Sequence, residues 1–194
     1  MKKYNIVFLD FDGVLNGIQL RDWKRNRYSL DKKLNGLLSK HIPNYKEEWE
    51  HFDIDIFLDK INILSEALKD IPDIKIVLST SWRRMKEPYE FHKVFNTIPG
   101  WEFEIIGRTG RDPHNQRGKE IASWIELNKN IVGNYVIIDD ETVDMLPSQS
   151  KKIVKTDVDF GIRYRDVFSI KKCLLKIDID GKVIKNGTII KRRK

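Results

Sequence analysis

Apolar residues fall along this chain in short blocks that stop abruptly at oxygen-bearing side chains. Ile6-Val7-Phe8-Leu9 meets Asp10, Lys75-Ile76-Val77-Leu78 meets Ser79, and Tyr135-Val136-Ile137-Ile138 meets Asp139. A continuous apolar run of this length reads as a strand buried on both faces, the pattern of a parallel sheet. Two weaker runs, from Phe103 to Ile106 and at Ile153-Val154, complete the candidate sheet. Between the blocks the period changes. Ile54, Phe57, Leu58, Ile61, Leu64 and Leu68 keep one apolar helical face, and Pro72 closes that segment. Ile121, Trp124 and Ile125 do the same after Arg117, as do Val167, Ile170 and Leu174 near the end. Strands alternating with helices predict an α/β domain with a mainly parallel sheet.

Two segments break the rhythm. Residues 17–52 are too long for an ordinary loop and carry a helical stretch with Leu30, Leu34, Leu37 and Leu38 on one face. They are expected to form a small cap inserted above the strand ends. Residues 176–191 alternate apolar and polar positions around Asp180-Gly181 and Asn186-Gly187, which predicts a C-terminal β-hairpin. The expected division is a main domain over 1–175 and a hairpin with a basic tail over 176–194.

The strand ends carry the candidate chemistry: Asp10 and Asp12, then Ser79 and Thr80, then Asp139 and Asp140. In an open parallel sheet such ends line the ligand crevice, so residues distant in sequence converge there. Gathered carboxylates repel one another unless a cation neutralises them, and oxygen ligands beside a phosphate suit Mg2+. Gly13 permits a tight turn immediately beyond the first strand.

Asp10-Phe11-Asp12-Gly13-Val14-Leu15-Asn16, following four apolar residues, resembles the first motif of the haloacid dehalogenase (HAD) superfamily phosphatases. Ser79 resembles the second motif. Arg117-Gly118-Lys119-Glu120-Ile121 is similar to the third, with Arg117 in register and Lys119 in reserve, where the family more often has Lys. Asp139-Asp140 resembles the fourth, and Asp144 fits the spacing of an additional acid. The resemblance implies a Rossmann-like fold and an Mg2+-dependent phosphomonoester hydrolase. Asp10 would be the nucleophile that forms an aspartyl-phosphate, and Asp12 the general acid and base. Mg2+ would be held by Asp10, the backbone carbonyl of Asp12 and Asp140 or Asp139, with Ser79 and Arg117 on the phosphoryl oxygens. An acid at position 12 points to phosphatases or phosphomutases, because the superfamily's pumps carry Thr there and its dehalogenases Tyr.

Leu78-Ser79-Thr80-Ser81-Trp82-Arg83, the Val-Leu-Asn of the first motif and Arg-x-x-Glu-Ile-x-x-Trp at 117–124 resemble the phosphatase domain of bacterial and phage RNA-repair proteins. That implies a substrate phosphate at a polynucleotide end or on a nucleotide, a 3′-phosphate foremost. Thr80, Arg83 and Lys119 are the candidate substrate-binding residues. Arg83 either grips a neighbouring anion by its planar fork or is plain surface. Trp82 reads as a core or cap contact ahead of a base-stacking ring.

Charge is consistent with anionic partners: Lys plus Arg number 36 against 29 Asp plus Glu, a formal net charge of +7. The excess gathers in 17–33, where Trp23 and Tyr28 lie among the cations, and in the C-terminal tail. Such interleaving suits single-stranded nucleic acid, a cap over a small anionic metabolite, or solvated surface alike. Cys173 is the only cysteine, and no apolar stretch is long enough to span a membrane, so a cytoplasmic protein without membrane partners is expected. No P-loop pattern occurs, so kinase and ligase partners in repair would be separate chains. The rival readings are a phosphatase for a mononucleotide or sugar phosphate, and a nucleic-acid-binding or regulatory module whose phosphatase site is vestigial.

Overall fold

The computed structural model describes residues 1–17, 56–84 and 86–175, together with the backbone of 183–185 and 188–190. Five parallel strands form one sheet: β1 (Tyr4–Leu9), β2 (Ile74–Leu78), β3 (Glu104–Arg108), β4 (Val132–Asp139) and β5 (Ile153–Lys155), in the order β3-β2-β1-β4-β5. The helices are α1 (Leu58–Leu68), α2 (Pro88–Phe95), α3 (Arg117–Leu127) and α4 (Tyr164–Leu174), with 3-10 turns at Ser81–Arg84 and Pro147–Lys152.

The unbroken apolar strands are explained by burial on both faces. In β1, Val7 and Leu9 pack with residues of α1, α2 and α4, whereas Ile6 and Phe8 pack with Ile121, Trp124 and Ile125 of α3. Alternate residues of one strand therefore feed two cores, and from Ile6 to Leu9 no position is left for a polar side chain. Phe8 meets the Trp124 ring edge to face at 5.5 Å. Fully burying a side chain of this size contributes roughly 1.5–3 kcal/mol.

α2 has no counterpart among the expected elements. Its start is nonetheless encoded, with Pro88 in the first turn and a reciprocal cap between Glu87 and Glu90. It delivers Phe91, Val94 and Phe95 to the larger core.

The expected cap over 17–52 lies outside the described residues, apart from Gly17. The described residues on either side of it meet, because the Phe57 N–H donates to the Leu15 carbonyl at 3.0 Å. The expected C-terminal hairpin is represented by its two strands, β6 (Val183–Lys185) and β7 (Thr188–Ile190), paired antiparallel with Val183 opposite Ile190. Its turn and the basic tail lie outside the described residues. Among the described residues, no helix is long and apolar enough to cross a membrane.

Candidate active site

Sheet register puts the polar strand ends at one level. Asp10, Ser79 and Thr156 each donate a backbone N–H to a carbonyl of the neighbouring strand end, namely Ile138, Leu9 and Asp139, at 2.9–3.1 Å. Chain direction from β1 runs to β2 on one side and to β4 on the other, so Asp10 and Asp139 flank the point where strand order reverses. That is where open α/β sheets bind ligands.

Asp10 is 5 % exposed and Asp139 fully buried. Carboxylate oxygens of Asp10, Asp139 and Asp140 lie within 4.8 Å of one another. One cation already sits among them: Nη1 of Arg117 donates to Asp10 Oδ2 at 2.7 Å, to Asp139 Oδ2 at 2.8 Å and to the Ser79 carbonyl at 2.6 Å. Burial works against the charged guanidinium, but the two aspartates outweigh it and hold Arg117 protonated well above its ordinary range. Burial pushes Asp139 up to about 8, with Asp10 adding to the shift and Arg117 opposing it. Burial also raises Asp10 and Asp140, Arg117 opposing in both. Buried carboxylates with raised proton affinity are a site that a divalent cation relieves, and this all-oxygen donor set is compatible with one.

Gly13 makes the third carboxylate possible. Its φ is +66°, and a Cβ there would lie 2.3 Å from Cγ of Asp140, so any side chain would displace that aspartate. The turn is held by Asn16, whose Oδ1 accepts the Gly13 N–H at 2.9 Å, and by the Thr156 hydroxyl, which donates to the Gly13 carbonyl at 2.7 Å.

Asp12 stands outside the carboxylate triad by its side chain. Asn16 Nδ2 donates to its Oδ1 at 3.0 Å and the Trp82 indole N–H to its Oδ2 at 2.8 Å. Trp82 also packs edge to face on Phe11, 5.4 Å between centroids. The ring is thus a core contact with one functional edge, a role that residue type alone does not announce. Asn16 is the other contributor that sequence reasoning left without a role, although its place in the first motif was a signal.

The remaining candidates separate. Thr80 is buried, with its hydroxyl bonded to the Asp10 carboxylate. Ser79 is fully buried, and its hydroxyl has no hydrogen-bond partner among the described residues. Arg117 opens α3, its backbone N–H donating to Asp144 Oδ2 at 2.9 Å, so Asp144 caps the helix that carries the arginine. Gly118 lets that helix end approach the chain at Met145 and Leu146, where a Cβ would meet Leu146 N at 2.5 Å. Lys119 points from the same helix as an exposed side chain, away from the role Arg117 takes.

Arg83 departs from both sequence expectations, the free fork and the plain surface residue. It is 5 % exposed, paired with the buried Glu120 of α3, and donates to the Thr80 carbonyl at 2.5 Å. The reason is Glu120: a buried carboxylate needs a charged partner, and Arg83 is the one it has. Burial lowers the proton affinity of Arg83 while Glu120 supports it.

Sheet order, motif order and the clustered aspartates together define a HAD-type domain. The family model described as the HAD domain in Swiss Army Knife RNA repair proteins matches residues 6–167, and the chain belongs to that family. Among solved structures, the HAD domain of effector protein Lem4 from Legionella pneumophila is similar, with a TM-score of 0.50 at 21 % identity over 89 % of this chain and 96 % of that one. An inactive mutant of the same domain matches with a TM-score of 0.51, again at 21 % identity, over 89 % and 95 %. These likenesses concern the fold. No curated protein matches the chain. Family membership points to phosphatase-type chemistry in general terms.

Proposed function

We propose that the protein is a Mg2+-dependent phosphomonoester hydrolase that works through an aspartyl-phosphate on Asp10 and removes a terminal phosphate, foremost a 3′-phosphate, from a polynucleotide end or nucleotide. The observation that carries this reading is the meeting of Asp10, Arg117, Asp139 and Ser79, whose carbonyl accepts from Arg117 and whose hydroxyl has no partner among the described residues. A fully buried hydroxyl with no partner is costly unless a ligand oxygen completes it.

When bound, Mg2+ at Asp10, Asp139 and Asp140 supplies positive charge that offsets the repulsion between nucleophile and phosphate. The residues do the rest. An Asp10 oxygen attacks phosphorus, and the bond from phosphorus to the leaving oxygen breaks. Asp12 gives its proton to that oxygen, so the alcohol departs neutral. A water then attacks the same phosphorus while Asp12 takes its proton back, and the bond to Asp10 breaks to release inorganic phosphate. Ser79 and Arg117 hold the phosphoryl oxygens through both halves. Trp82 and Asn16 keep the Asp12 carboxylate in one orientation, each through one of its oxygens.

The polynucleotide part of the reading is supported by the family description and by the net charge of +7. In a repair setting the kinase and ligase would be separate partners. The compartment we assign is the cytoplasm, where the lone Cys173 needs no disulfide partner.

The test is phosphate release with and without Mg2+ from 3′- and 5′-phosphorylated oligonucleotides, mononucleotides and sugar phosphates, with Asp10→Asn protein as the blank. Mg2+-dependent release that favours the 3′-phosphorylated oligonucleotide is expected. Preference for small molecules would leave the chemistry and remove the polynucleotide. Release equal to the blank from every substrate would remove the phosphatase.

A further inference from the structure

The row of strand ends continues past Ser79. Thr109 follows β3 as Ser79 follows β2, its N–H donating to the Leu78 carbonyl at 2.9 Å. Thr109 is 3 % exposed, and its hydroxyl, like that of Ser79, has no hydrogen-bond partner among the described residues. It lines a cavity of about 290 Å³ together with Arg83, Arg84, Arg108, Gly110 and Arg111.

No acid is among these lining residues. Glu120 neutralises Arg83 and Glu87 neutralises Arg108, whose Nη1 also donates to the Arg83 carbonyl at 2.7 Å. Arg84 and Arg111 are exposed and have no carboxylate partner among the described residues. The walls are held in place, because Glu120 binds both Arg83 and the Asp112 N–H, the latter at 3.1 Å, tying the turn after β2 to the loop before α3. A preformed cavity with two uncompensated guanidinium groups and an unpartnered buried hydroxyl selects an anion. The volume lies at the lower edge of the roughly 300–1,000 Å³ usual for small-molecule sites, ample for a phosphate group. Adjacent strands are about 4.8 Å apart, so Thr109 is one step along the row from Ser79.

We propose that this cavity binds a second phosphate of the substrate, one linkage removed from the phosphoryl group presented to Asp10. The inference rests on the phosphatase reading and names a substrate class within it: molecules with two phosphates, the second being an internucleotide phosphodiester or the other monoester of a nucleoside bisphosphate. Arg84 and Arg111 supply the attraction, and Thr109 donates a hydrogen bond.

The test is calorimetric binding to the Asp10→Asn protein, which keeps ligands intact. The probes are a 3′-phosphorylated dinucleotide, the same molecule with a neutral methylphosphonate linkage, adenosine 3′,5′-bisphosphate and adenosine 3′-monophosphate. At least one two-phosphate probe is expected to bind about 10- to 100-fold more tightly than its one-phosphate counterpart, the scale of hydrogen bonds to a charged group. Adding Arg84→Gln and Arg111→Gln, both at exposed positions, is expected to erase that advantage. The pair that shows it identifies the second phosphate as diester or monoester. Equal affinities, no binding of any probe, or an advantage that survives the double substitution would overturn the proposal. Release of phosphate from p-nitrophenyl phosphate by the unaltered chain tests the chemistry separately. Turnover without a two-phosphate advantage would refute the cavity alone, whereas the advantage without turnover of any substrate would refute the phosphatase alone.

Discussion

At the ends of β1 and β4, the carboxylates of Asp10, Asp139 and Asp140 crowd together, and a single guanidinium nitrogen of Arg117 bonds the first two. At the ends of β2 and β3, one step along the same sheet, the neighbouring cavity is lined, among the described residues, by four arginines and no acid. The backbone is alike in the two places: parallel strands, with Asp10, Ser79 and Thr109 brought to the same level by backbone hydrogen bonds to the neighbouring strand. Their opposite polarity arises in the turns beyond the strands. The turn after β1 is packed on Asp140 through Gly13, whereas the turn after β2 carries Arg83 and Arg84 directly. The sheet supplies position, and the residues at and just beyond each strand end supply charge, so the two halves of the row carry opposite polarity.

The comparison can be broken hardest at the acidic half. Asp10→Asn is expected to reduce phosphate release to background, and Asp12→Asn to lower kcat by about 10²- to 10⁴-fold, the usual contribution of a positioned acid-base group. Retained activity in either would remove the assigned roles. Gly13→Ala acts on the same half without touching a reacting group. Its Cβ would overlap Asp140, so a loss of Mg2+ affinity of about 10- to 100-fold is expected, read from the Mg2+ dependence of turnover. Unaltered Mg2+ dependence would mean that Asp140 does not need its present place.

Trp82→Phe keeps the ring against Phe11 and removes only the indole N–H. A hydrogen bond to a charged group is worth about 1.5–3 kcal/mol, so a fall in kcat of about 10- to 100-fold with KM unchanged is expected. A rise in KM at constant kcat would make Trp82 a substrate contact instead.

The smallest effect is on stability. Asp139 has its pKa raised from 3.8 to about 8. The folded state therefore holds a proton that the unfolded chain gives up across that interval. The contribution of Asp139 to the stability of the Mg2+-free protein is accordingly full below the lower value and is lost as pH rises through the window. Tm should fall between those limits, and added Mg2+ should recover more of it at the alkaline end than at the acid end. The same decline in Asp139→Asn protein would assign it to another group.

Much of this arrangement is legible in the chain. The runs ending at Asp10, Ser79 and Asp139 are strands because both faces are buried, and such strands have no alternation to disguise them. β3 is harder to read. Its last residues, Gly107 and Arg108, are not apolar, so the run ending at Ile106 hides the fact that Thr109 takes the same place as Ser79. α2 is only two turns long, too short for its Phe91, Val94 and Phe95 to separate a helical period from a buried strand. Arg83 and Glu120 are 37 positions apart, and a buried pair at that distance leaves no mark in local pattern. The direction of the Trp82 N–H depends on the 3-10 turn that carries it, which residue type does not specify.

The hydrogen bond from Phe57 to Leu15 has a wider bearing. The chain between these residues leaves and returns at a single backbone contact, so its ends are fixed whatever its length. For flexible loops in general, each doubling of length costs only about 0.6 kcal/mol. Closure at Leu15 and Phe57 therefore lets the length of chain between them vary at little thermodynamic penalty to the domain on either side.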